Sequence, residues 1–98
     1  MAVHCVAFIG DKPIGTGRLL PDAHIGRMAV LREHRDNGVG TAILRRLLAV
    51  GRARGERRFQ LNAQRYVKEF YEREGFKTYG RPFKEAGIDH VAMRLELD

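Results

Sequence analysis

The sequence predicts one α/β (α+β) domain over residues 1–98. It would have a mixed sheet with antiparallel N-terminal strands, one parallel strand–helix–strand crossover, a second short helix and a C-terminal strand pair. Three observations carry that expectation. Apolar, β-branched runs flank a Gly/Pro turn near the N-terminus. Apolar residues at spacings of three and four follow the glycine-bearing stretch Arg35–Thr41 as far as about Arg54. Strict two-residue alternation marks His90–Leu97.

Val3–Ile9 reads as the first strand, and Gly10-Asp11-Lys12-Pro13 as a turn. Ile14–Leu20 reads as the returning strand of a hairpin, although Gly15 and Gly17 weaken it. Pro21-Asp22 turns the chain again. Ala23–Val30 follows as a third strand, with Ile25, Met28 and Val30 as core candidates. The long helix places Val39, Ile43, Leu44, Leu47, Leu48 and Val50 or Gly51 on one face, and Gly55 suits its C-terminal cap. Phe59–Ala63 is a short strand. Strand, helix and strand in succession imply that the third and fourth strands run parallel. Val67–Glu74 reads as a short helix stopped by Gly75, and Phe76–Tyr79 as a short strand. Gly80–Gly87 reads as a loop around Pro82, and His90–Leu97 as the last strand.

A chain of 98 residues supports a thin core. No apolar run approaches the roughly 20 residues that span a membrane, and no signal pattern opens the sequence. The lone Cys5 excludes an internal disulfide and a cysteine-rich zinc site. His4, His24, His34 and His90 lack helical pair spacing, so no metal site is expected. Cytoplasmic residence follows as the default. The net charge of +6 owes much to Arg45, Arg46, Arg52, Arg54, Arg57 and Arg58. They fall opposite the apolar stripe and read as a solvated face. A nucleic-acid-binding face is the less favoured alternative, because no RNA-binding, helix-turn-helix or zinc-finger pattern accompanies them.

Arg35-Asp36-Asn37-Gly38-Val39-Gly40-Thr41 lies between a strand and a helix. A helix start leaves backbone N–H groups free beside the positive end of the helix dipole. Gly38 and Gly40 allow close approach, and Arg35 adds fixed charge, which suits a pyrophosphate. The stretch is not a Walker loop, since no Gly-Lys-Ser/Thr follows. Nor is it the dinucleotide fingerprint, since the third glycine is absent.

Arg-x-x-Gly-x-Gly in this setting resembles the acetyl-CoA pyrophosphate loop of the GNAT N-acetyltransferase superfamily, whose signature is Arg/Gln-x-x-Gly-x-Gly/Ala. Four further stretches resemble the same superfamily. Ile25–Val30 is similar to the strand beside the pantetheine arm. Leu61-Asn62-Ala63-Gln64 is similar to the next parallel strand and its exit. Phe70-Tyr71-Glu72-Arg73-Glu74-Gly75-Phe76 is similar to the Tyr-x-x-x-Gly-Phe signature. Phe83–Met93 resembles a segment of the ElaA-type subgroup, which also shows the Arg-Leu-Leu-Pro found here at Arg18–Pro21. Two departures stand out. Such domains normally begin with a strand and two helices that are absent here, so the chain is a fragment, a short member, or one that completes its acceptor pocket with a second subunit. Where the subgroup commonly has proline before the histidine, this chain has Asp89.

The resemblance implies an N-acetyltransferase that moves an acetyl group from acetyl-CoA to a primary amine by direct attack. It assigns the pyrophosphate to the backbone of Asn37, Gly38, Val39, Gly40 and Thr41, with Arg35 as charge partner and Asp36 within the loop. The thioester carbonyl is assigned to a strand amide of Met28, Ala29 or Val30. Phe70 and Gln64 are further cofactor candidates, and Gln64 is also a candidate acceptor contact. A phenol with a pKa near about 10 stays protonated at neutral pH and can donate to a thiolate, so Tyr71 is the candidate acid. A lysine-like amine is only about one part in a few thousand neutral at pH 7, so a base is needed. His90 is favoured among His90, Glu85, His24 and Glu33 because it titrates in the useful range. The rival class is a degenerate acyl-CoA-binding or interaction module without catalysis. A thin core and an open hairpin edge also suggest a homodimer.

Overall fold

The computed structural model describes residues 1–97. Two compact units divide it, one spanning Met1–Glu56 and the other beginning at Arg57.

In the first unit β1 (Val3–Ile9), β2 (Lys12–Leu19) and β3 (Ile25–Val30) form an antiparallel sheet in the order β1-β2-β3. A single 3-10 turn at Arg32–His34 leads to helix α1 (Val39–Ala53). The third strand begins two residues later than Ala23. A tight turn, in which Ala23 N–H donates to Leu20 O (3.0 Å) and Leu20 N–H to His24 O (2.8 Å), holds Ala23 at a φ of 65°. That conformation is outside the strand region.

α1 buries Ile43, Leu44, Leu47 and Gly51, while Val39, Leu48 and Val50 are half-buried. Gly15 and Gly17 are the reason it fits. A Cβ built on Gly17 would stand 2.6 Å from Met28 Sδ, 2.8 Å from Ile43 Cγ2 and 3.0 Å from Leu47 Cδ1. The glycines that weaken β2 as a strand are thus the floor on which α1 lies. Ile14, Leu19 and Ile25 complete this apolar layer. The helix ends with Glu56 N–H donating to Gly51 O and Gly55 N–H to Arg52 O, both at 2.9 Å, the paired bonds of a Schellman cap.

The second unit contains β4 (Arg58–Gln64), a 3-10 turn at Arg65–Val67, helix α2 (Lys68–Glu72), β5 (Lys77–Glu85) and β6 (Ile88–Glu96). Its antiparallel sheet runs β4-β6-β5. Phe59, Leu61 and Ala63 face Leu95, Met93 and Val91 across the β4–β6 ladder, an alternation that puts one apolar face inward. α2 is shorter than the expected Val67–Glu74, because Val67 belongs to the 3-10 turn and the chain tightens again after Glu72, where Glu74 N–H donates to Tyr71 O and Gly75 N–H to Glu72 O.

The segment Gly80–Glu85, expected as loop, is strand. Tyr79 pairs with Ala92 and Phe83 with His90, so four steps along β5 match two along β6. The surplus residues make a bulge holding Gly80, Arg81 and Pro82, where a missing N–H breaks no ladder bond. A two-residue turn, Ala86-Gly87, then closes the hairpin at Glu85↔Ile88. Both turn residues have positive φ, 51° and 77°, as a type I′ turn requires.

The order β3–α1–β4 expected of a crossover is present, but every ladder among the described residues is antiparallel. β3 finds its partner in β2 and β4 finds its partner in β6.

Candidate active site

The loop between β3 and α1 opens the helix without a side-chain cap. Asp36 (φ 66°) and Gly38 (φ 81°, ψ 5°) are both left-handed, and Gly38 is the N-cap. Gly38 supplies no side-chain cap, and no acidic residue occupies the first turn. The first helical bond runs from Ala42 N–H to Gly38 O at 3.0 Å, which leaves the amides of Val39, Gly40 and Thr41 without an intrahelical acceptor. Space around Gly38 is open, since a Cβ there would meet nothing within 4 Å. Arg35 is exposed, and its Nε donates to the Val30 carbonyl at 2.9 Å. That bond ties the guanidinium to the end of β3. Asp36 and Asn37 are exposed, and Gly40 and Thr41 half-buried. Met28, Ala29, Val30 and the Arg35–Thr41 loop therefore form one continuous piece of this unit.

β3 itself is irregular. Thr16 pairs with Ala29 and Arg18 with Gly26, so β3 carries one residue more than β2 between those rungs. The bulge falls at Arg27-Met28, with Arg27 at a φ of 55°. It turns the Met28 side chain toward the α1 side, over Gly17. Among the described residues β3 has a hydrogen-bonded strand on one side only, β2. Nothing in the sequence apart from Gly26 beside a basic residue signals this bulge.

The second unit holds the titratable candidates. Tyr71 is 8% exposed, with edge-to-face contacts to Phe70 (4.9 Å) and Phe76 (5.9 Å). Burial pushes its hydroxyl above the ordinary phenol value. Gln64 and His90 face each other across the β4–β6 ladder. His90 is 7% exposed and stacks on Phe83 at 5.7 Å. Its Nδ1 lies 2.8 Å from Ile88 O, which acts as acceptor and so assigns the proton to Nδ1. Nε2 then faces Glu85, 3.6 Å away. Tyr71 makes its ring contacts with Phe70 and Phe76, and His90 its contacts with Phe83, Ile88 and Glu85. Gln64, Glu85 and His90 come together, although the sequence offers Glu85 and His90 only as separate bases.

The remaining base candidates belong to surface pairs of the first unit. His24 Nδ1 lies 3.2 Å from Asp22, whose carboxyl is held below its usual range, chiefly by the His24 backbone N–H. Glu33 lies 3.5 Å from Lys12, and its carboxyl is lowered, first by its own backbone N–H. A lowered carboxyl is a weaker base. The helix arginines are exposed, with Arg54 donating to Met1 O (3.1 Å) and Pro21 O (3.4 Å). Cys5 is a half-buried free thiol. Among the described residues no cluster of three or more His, Cys, Asp or Glu is placed to hold a metal, and no helix is long and apolar enough to cross a membrane.

Comparison with known proteins gives the family and the fold. The family profile described as "Acetyltransferase (GNAT) domain" matches residues 2–97. The uncharacterized N-acetyltransferase YjcF of Bacillus subtilis is 36% identical over 94 residues, covering 92% of this chain and 67% of the relative. An acyl-CoA N-acyltransferase structure from Pseudomonas aeruginosa superposes with a TM-score of 0.82 at 27% identity, covering 96% of this chain and 68% of that one. Escherichia coli ElaA shares the fold, with a TM-score of 0.86 at 24% identity over 97% of this chain and 68% of its own. The chain thus spans about two thirds of the length of these proteins.

Proposed function

Because the chain belongs to the GNAT acetyltransferase family, we propose that it transfers an acetyl group from acetyl-CoA to a primary amine of a small-molecule or peptide acceptor by direct attack. The observation that carries this reading is the uncapped start of α1. Three free amides, open space at Gly38 and an anchored Arg35 form a cradle for a diphosphate. The Pseudomonas protein's description as an acyl-CoA N-acyltransferase supports a coenzyme A thioester as donor.

In this reading the diphosphate sits on the amides of Val39, Gly40 and Thr41, with Asn37 and Gly38 shaping the loop and Arg35 adding charge. The pantetheine arm lies along the free edge of β3, where an amide between Met28 and Val30 polarises the thioester carbonyl. Phe70 and Gln64 line the donor side. Once the acceptor ammonium has given up a proton, the neutral amine nitrogen attacks the carbonyl carbon, the C–S bond breaks, the thiolate leaves and the second nitrogen proton passes to water. His90 takes the ammonium proton at Nε2, the nitrogen left unprotonated by the Ile88 contact. Tyr71 donates to the leaving sulfur, and its raised pKa keeps the hydroxyl protonated through neutral pH.

Residence in the cytoplasm belongs to the same proposal, and the free thiol of Cys5 suits a reducing compartment. So does assembly as a homodimer through β1, an edge strand that exposes Val6, Phe8 and Ile9. Light scattering on a sizing column reads the assembly directly, and a clean monomer removes it. Titration calorimetry with acetyl-CoA tests the central reading, and no heat at millimolar ligand ends it. Tyr71→Phe is expected to lower turnover at least tenfold with cofactor affinity nearly intact; unchanged turnover reduces Tyr71 to packing.

A further inference from the structure

We infer that Arg18 recognises the acceptor, and that the acceptor amine carries a carboxylate. The inference rests on the acetyl-transfer reading for the word acceptor, but its observations are separate from the diphosphate loop. Arg18 Nε is buried and has no hydrogen-bond partner among the described residues. No carboxylate of the described residues pairs with the side chain, which is half-buried. A buried donor left unmade is destabilising, and in native structures such a group is rare and calls for a physical reason.

The position says what that something is. Gly15 and Gly17 face α1, so Arg18, one residue on, faces the opposite side of the sheet. Its guanidinium reaches over the neighbouring strand, with Nη2 4.0 Å from where a Gly26 Cβ would stand. Gly26 directly precedes the bulge at Arg27-Met28. In the proposed mode the donor enters from the Arg35–Thr41 loop and runs back along β3 from Val30 toward Met28. Four residues of bulged strand, at most roughly 13 Å, separate Gly26 from Val30. A cofactor phosphate on the loop is therefore remote from Arg18, while a molecule attacking the thioester near Met28 is adjacent to it. The absence of a side chain at Gly26 keeps the space under the guanidinium open. A planar fork with fixed donors matches a carboxylate in two-point contact better than it matches any neutral group. The chemistry thus favours an amino acid, or a peptide end presenting both an amine and a carboxylate, over a simple polyamine.

The test uses product mimics on the full chain. N-acetylglycine and N-acetylleucine, with their neutral carboxamides, are titrated by NMR with and without coenzyme A. Acids are expected to shift the amides of Arg18 and Gly26 and to bind about tenfold or more tighter than the carboxamides. Arg18→Met keeps the stem and removes the donors. It is expected to bind acid and carboxamide alike, to hold coenzyme A with unchanged affinity, and to melt no lower than wild type. Arg18→Lys is expected to keep part of the preference. Equal binding of acid and carboxamide by the wild type overturns the inference. So does a surviving preference in Arg18→Met, a loss of coenzyme A affinity, or a melting point several degrees lower, which marks a structural arginine. If coenzyme A itself fails to bind, the acetyl-transfer reading falls, while an acid preference in the cofactor-free arm still upholds the carboxylate site.

Discussion

Gly17→Ala tests the packing on which the diphosphate loop depends. In a strand with room to spare, alanine would stabilise by roughly 0.5–1 kcal/mol through the entropy that glycine loses on folding. Here the added methyl would lie 2.6 Å from Met28 Sδ, 2.8 Å from Ile43 Cγ2 and 3.0 Å from Leu47 Cδ1. The Met28 thioether can swing aside. Ile43 cannot, because a β-branched side chain in a helix has essentially one rotamer. Restoring an ordinary contact at Ile43 lifts the helix by about 0.6 Å over the strand. Overpacking of this kind costs about 1–3 kcal/mol. For a domain of this size that lowers the melting temperature by roughly 4–24 °C. Urea titration monitored by circular dichroism, with calorimetric melting alongside, measures both quantities. Stability equal to or above wild type would mean that α1 does not rest on bare β2 backbone, and the account of the first unit's core would fail.

The other expectations concern single groups. Arg35→Met should weaken acetyl-CoA binding about tenfold, as expected for loss of a charge-assisted contact, with little change in melting; calorimetry at two salt concentrations checks it. Tyr71 has a folded pKa raised above its ordinary 10.0 by burial. Its stabilising contribution is full below about pH 10 and declines as pH rises through the raised value. Wild type should therefore lose stability above about pH 10 more steeply than Tyr71→Phe in parallel urea titrations, and parallel slopes there refute the shift. Ala86 is held at a φ of 51° in the β5–β6 turn. Ala86→Asn, the residue that type I′ turns favour there, should stabilise by about 0.5–1 kcal/mol in the same titration.

The sequence carried those parts of the structure that depend on local chemistry. The span of α1 is legible because its apolar residues repeat at helical spacing and Gly55 closes it. β1 matches its residues from Val3 to Ile9. Misreadings arose where tertiary pairing overrode local signals. Gly80 and Pro82 are loop residues by propensity, yet they sit in a bulge whose flanks are held by β6. Gly15 and Gly17 read as weaknesses because a glycine's reason, a helix lying on it, is absent from its own neighbourhood in the sequence. The Arg27-Met28 bulge was illegible because it arises from a mismatch in length between β3 and β2, which no single strand reports. The candidate residues divide the same way. Arg35 and Gly38 become candidates by spacing, whereas the approach of Glu85 to His90 exists only once Glu85 and Ile88 pair across a two-residue turn.

The seat of α1 and the place of its free amides are a single structural fact. Val39 is one turn from Ile43, roughly 6 Å along the helix axis. The same side chains that touch the glycine floor of β2 therefore fix the height at which the N-terminus opens. Arg35 fixes its lateral position by bonding to the last carbonyl of β3. Hydrogen bonds to a diphosphate are sensitive to displacements of a few tenths of an ångström. A methyl group on Gly17, buried beneath the helix and contacting no ligand, should accordingly weaken cofactor binding as well as the fold. An exposed change that leaves the floor intact should do neither. In the proposed binding mode the glycines of β2 then matter as much as the glycines of the loop do, by setting the level from which the loop reaches.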